Sequence, residues 1–69
     1  MAFERYDPKT IGITDQLREA RREVTVRERV YERWVEDGRL DARTAAKQLA
    51  AMQAVVLTLE AKEREERLI

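Results

Sequence analysis

The segment Val30-Tyr31-Glu32-Arg33-Trp34-Val35-Glu36-Asp37-Gly38-Arg39-Leu40-Asp41 lies near the middle of the chain and constrains the fold more than any other stretch. A glycine just past a helix-compatible run tolerates the left-handed backbone that ends helices. An aspartate three residues on can cap the first turn of a new helix. The pattern predicts an all-α fold, a two-helix antiparallel hairpin with coiled-coil-like character.

Composition narrows what such a hairpin can be. A chain of 69 residues makes one domain at most, and a core of that size supplies only about 3 to 5 kcal/mol of net stability unless something reinforces it. Cysteine and histidine are both absent, which removes a disulfide framework and the commonest transition-metal ligands. Self-association is the remaining reinforcement. Basic and acidic side chains balance at 14 each, so net charge exerts no long-range pull toward nucleic acid or an acidic membrane. The longest apolar run, Ala54-Val55-Val56-Leu57, is far too short to span a bilayer, and the amino terminus has no basic-then-apolar signal pattern. A cytoplasmic location with no membrane partner is expected.

Taken in order, residues 1–13 read as an extended arm, with Phe3 and Tyr6 as candidate anchors and Ile11 or Ile13 laid on the nearest apolar groove. Thr14 is the expected N-cap of a first helix over 14–37, a turn occupies 38–41, and Asp41 caps a second helix over 42–67. A Thr25-Val26-Arg27-Glu28 capping box raises the alternative of a restart inside helix one. The Glu23–Arg27 pair at i, i+4 favours continuity. Beyond Leu59 the chain is almost entirely charged and reads as a solvated helical tail with pairs Glu60–Arg64 and Glu63–Arg67.

At 100° per residue Leu17, Ala20, Val24, Tyr31 and Val35 form one stripe of helix one, interrupted by Arg27. In helix two Ala45, Leu49, Met52, Val56 and Leu59 recur at 4-3-4-3 spacing. Folding about Arg39 sets Val35 near Ala45, Tyr31 near Leu49, Val24 near Val56 and Ala20 near Leu59. Val26, Val30 and Trp34 then lack a partner, as does part of Val55 and Leu57. These five are the candidate interface, and a homodimer forming a four-helix bundle would cover them.

The inventory for catalysis is thin. Histidine, cysteine and serine are absent, and a two-helix hairpin offers little shelter for a tuned group. No enzyme activity, cofactor, metal or small-molecule substrate is expected; Glu36 and Asp37 at the turn read as solvated. Nucleic-acid binding is the alternative function, with Arg18, Arg21 and Arg22 as the candidate phosphate contacts. Interleaved Glu19, Glu23, Glu28 and Glu32 weaken that potential. Trp34, flanked by Val30 and Val26, has the character of a protein-interface anchor.

Val30-Tyr31, Trp34-Val35 and Gly38-Arg39-Leu40, followed by Ala45, Leu49 and Met52, resemble a group of small proteins of unknown function encoded by phages and prophages of proteobacteria. The resemblance covers roughly residues 20–60 and rests on the motif V-Y-x-x-W-V-x-x-G-R-L. Where many of that group carry proline directly after the tyrosine, this chain has Glu32, which favours an unbroken first helix. The resemblance implies no catalytic residues. It implies an origin in a mobile element and an accessory role exercised by binding a host or phage protein.

Overall fold

The structure, a computed structural model, describes residues 4–68; the candidate anchor Phe3 and the terminal Ile69 lie outside the described residues. A 3₁₀ turn at Pro8–Thr10 precedes two helices, α1 over Ile13–Glu36 and α2 over Ala42–Arg67, with no strand among the described residues. The helices pack antiparallel as a hairpin. Each has the other as its one helical neighbour.

The reversal is a Schellman motif. Gly38 takes the left-handed position at φ +73°, the Arg39 N–H reaches the Trp34 carbonyl at 2.8 Å, and the Gly38 N–H reaches that of Val35 at 3.1 Å. The same Trp34 carbonyl also accepts from the Leu40 N–H at 3.3 Å, so the turn is tied to the residue with the largest side chain in the molecule. Asp41 then caps α2 as expected, its carboxylate accepting from the Thr44 N–H at 3.1 Å and from the Thr44 hydroxyl at 3.3 Å.

The amino-terminal side departs from expectation in three ways. First, the arm is not extended throughout. Pro8 presets the first helical φ, the Asp7 carboxylate accepts from the Lys9 N–H at 3.0 Å, and the Thr10 N–H bonds the Asp7 carbonyl at 3.0 Å, which closes the 3₁₀ turn. Second, α1 starts at Ile13, with Gly12 as N-cap in extended backbone and its carbonyl accepting from the Gln16 N–H at 3.1 Å. Third, Thr14 therefore stands inside the first turn and does not cap. Its hydroxyl donates to Glu63 Oε2 of α2 at 2.9 Å.

Helix α1 runs unbroken through Val24-Thr25-Val26, where the Glu23–Arg27 pair closes at 3.0 Å and the Thr25 hydroxyl donates back to the Arg21 carbonyl at 3.3 Å. The two inward stripes meet in the expected register. Val35 and Tyr31 line one depression with Ala45 and Leu49, Val24 lines a second with Val56, and Ala20 a third with Leu59. Only Leu17, Ala20 and Ala45 are fully buried among the described residues.

The charged end of α2 is not simply solvated. Glu60 turns from Arg64 to Arg21 across the hairpin at 2.8 Å, and Glu63, with 17% of its side chain exposed, takes both Thr14 and, at 3.7 Å, Arg67. These contacts latch the open end of the hairpin. Leu68 does not fold back toward Ile13; it is 86% exposed.

Candidate interaction surface

The hairpin has two flanks, and the candidate interface residues divide between them. Glu19, Glu23, Val26, Val30 and Trp34 recur at intervals of four, three, four and four residues, so they lie along one strip of α1. Glu19 and Glu23 line a cleft with Met52 and Val55 of α2, which puts that strip and Val55 on the same flank. Leu57 lies on the other. It lines a separate groove with Arg21, Val24, Thr25, Gln53 and Val56. Residues two apart on a helix differ by 200° in direction, so Val55 and Leu57 cannot form one surface. Of the five residues expected at the interface, Val26, Val30, Trp34 and Val55 lie on one flank and Leu57 on the other.

On this flank Trp34 is 38% exposed, Val26 38% and Val55 43%, and Val30 is half-buried. Trp34 is held, not loose. Its ring lies 5.9 Å from that of Tyr31 at a 30° tilt, and its own carbonyl anchors the turn. Arg27 sits 6.0 Å from the Tyr31 ring centroid and donates through Nη1 to the Gln48 carbonyl at 3.1 Å and through Nε to Glu23 at 3.0 Å. The cation that interrupts the inward stripe thus joins the two helices. Gln48 is also within 3.3 Å of the Tyr31 hydroxyl.

Toward the amino-terminal end the same flank opens into a cleft of about 660 Å³. Ile11, Ala20, Met52, Val55 and Leu59 give it an apolar floor, and Asp15, Glu19 and Glu23 stand along its α1 rim. The 3₁₀ turn forms the outer wall through Pro8 and Ile11. The sequence offers Ile11 or Ile13 for a groove, and Ile11 is the one that lines the cleft; nothing in the sequence signals the cleft itself, because the wall depends on where Asp7 caps the turn. Tyr6, the other expected anchor in the arm, is 80% exposed.

The candidate phosphate contacts are all compensated. Arg18 pairs with Asp15 at 3.2 Å, Arg21 with Glu60 at 2.8 Å, and Arg22 with Glu19 at 2.6 Å. Hydrogen bonding to Arg22, reinforced by its charge, holds the Glu19 carboxyl below the ordinary glutamate value, and the same bond raises the Arg22 guanidinium. Glu36 and Asp37 are exposed at the turn. No group of three or more side chains suited to a metal ion occurs among the described residues, and no helix there is long and apolar enough to cross a membrane.

Comparisons of the chain with protein-family models, with curated proteins and with solved structures found no match, and the functional reading rests on this geometry.

Proposed function

We propose that the chain is a non-enzymatic protein-interaction module, a homodimer of helical hairpins forming a four-helix bundle, and that it serves as a phage or prophage accessory protein acting on a host or phage protein in the cytoplasm. One observation supports the self-association in this reading. The chain exposes 6,215 Å² at 8.1 kDa, about 1,700 Å² more than a compact monomer of that mass would. Its radius of gyration of 15.4 Å compares with about 11 Å for a compact domain of this length. With three buried side chains among the described residues and 14 Å of thickness, the lone hairpin is under-buried. A standard interface removes about 800 Å² per partner, and a second copy on one flank would leave the other flank for a foreign protein.

The reading is tested by affinity capture from a proteobacterial lysate, with and without nuclease, and mass spectrometry of what is retained. One protein held in both samples at a stoichiometry near one per dimer supports it. Retention lost on nuclease treatment, with nucleic acid in the untreated eluate, replaces it with nucleic-acid binding. Retention of nothing overturns it.

A further inference from the structure

We propose that the two copies join through α1 against α1, antiparallel about a two-fold axis near Val26, so that each Trp34 seats in the acidic-rimmed cleft of the other copy. This rests on the dimer reading and specifies its surface. A two-fold contact requires one patch to fit itself, and this flank has two ends that differ in that sense. The flank carries an apolar floor without an occupant at its amino-terminal end, from Ile11 to Leu59, and an aromatic without full cover at its turn end.

With the axis passing between the two α1 helices at the level of Val24 and Thr25, Trp34 and Asp15 lie at equal distances of about 14 Å on either side of it. Trp34 then faces the partner's Asp15, Val30 the partner's Glu19, and Val26 the partner's Glu23. The aromatic that is 38% exposed in one copy arrives at the 660 Å³ cleft of the other.

Arg29 and Arg33 flank the apolar strip at the turn end and have no ion-pair partner among the described residues. Asp15 and Glu19 stand on the rim at the other end, paired within their own copy with the exposed Arg18 and Arg22, pairs that an incoming guanidinium would have to share. An antiparallel contact brings Arg33 to the partner's Asp15 and Arg29 to the partner's Glu19, twice over by symmetry. A parallel contact would instead bring like charges together.

The test is a charge exchange read by analytical ultracentrifugation. Arg29→Glu with Arg33→Glu in one chain, and Asp15→Arg with Glu19→Arg in another, should each weaken self-association roughly a hundredfold, while an equimolar mixture forms a one-to-one heterodimer with restored helicity. Heterodimer recovery cannot come from misfolding of either variant. A wild-type dimer whose variants still pair normally, or do not recover on mixing, overturns the α1 contact and leaves the dimer standing. A wild-type monomer at high micromolar concentration overturns both. Because the chain has no cysteine, Val26→Cys offers an independent readout. Lying near the axis, it should form a disulfide-linked dimer on mild oxidation. Leu57→Cys should not, and the reverse pattern would place the contact on the other flank.

Discussion

Arg27 donates through Nη1 to the backbone carbonyl of Gln48 at 3.1 Å, so the one cation in the inward stripe of α1 is bonded to the backbone of the helix it faces. A helical carbonyl has a second lone pair to offer, and this bond therefore adds to the α2 ladder without breaking it. The Arg27 guanidinium also lies 6.0 Å from the Tyr31 ring centroid, and its stem can contribute packing of its own. Arg27→Ala should cost about 1 to 2 kcal/mol, and Arg27→Met, which keeps most of the stem but no donor, about half of that. Urea denaturation followed by circular dichroism decides it. Equal losses in both variants would mean that the bond to Gln48, not packing of the stem, is what Arg27 contributes, and no loss in Arg27→Met would mean the reverse.

The two glycines should answer substitution in opposite directions. Gly38 is at φ +73°, so Gly38→Ala is strained although a Cβ would meet nothing within 4 Å, and a loss of about 1 kcal/mol is expected. Gly12 is an N-cap at φ −75° with no side-chain cap and equally open space. Gly12→Ser should stabilise by a few tenths of a kcal/mol by supplying the missing acceptor. Thermal midpoints of the two variants, measured at one protein concentration, should fall on either side of the parent. A stabilising Gly38→Ala would refute the left-handed turn.

Those two sites differ in how legible they were in the sequence. Gly38 followed by Asp41 is a local signal with a local cause, and the apolar stripes match in register because both obey the same helical period. The opening of α1 was less legible, since Thr14 and Gly12 can both begin a helix and the choice falls to a residue 49 positions away: Glu63 takes the Thr14 hydroxyl. Glu60 and Glu63 read as solvated for the same reason, their cross-hairpin partners Arg21 and Thr14 being invisible to an i, i+4 rule. The cleft behind Pro8 is likewise a product of tertiary placement. Val55 and Leu57 differ. Their divergence is fixed by helix geometry, and grouping them overlooks the angle between neighbouring positions.

Acid should release the Glu19–Arg22 pair in a defined direction. The Glu19 carboxyl is held below its ordinary value in the folded chain, first by the hydrogen bond and then by the charge of Arg22. Its contribution to stability is therefore present above the ordinary carboxylate value of the unfolded chain and is lost as pH falls through the depressed folded value. Both groups are exposed, so the contribution is small and salt weakens it further. Carbon-detected NMR titration of Glu19 should give a low midpoint that returns to the ordinary value in Arg22→Ala. A midpoint indifferent to Arg22 would mean that the pair is not populated in solution.

The dependence of stability on concentration separates a folded hairpin from a folded dimer. If Trp34, Val30, Val26 and Val55 are covered by a second copy, unfolding is coupled to dissociation, and raising the concentration roughly a hundredfold should add about 2.7 kcal/mol per dimer and lift the thermal midpoint. Trp34→Ala should remove most of that dependence together with helicity, because it deletes the largest side chain of the strip while leaving the carbonyl that closes the turn. Leu57→Ala is the matched control. Leu57 is 66% exposed and lines the opposite groove, so its loss should move the midpoint by less than about 0.5 kcal/mol and leave the concentration dependence intact. A midpoint independent of concentration in the parent chain would make the hairpin self-sufficient. Trp34 would then be an exposed binding face rather than part of a folded core.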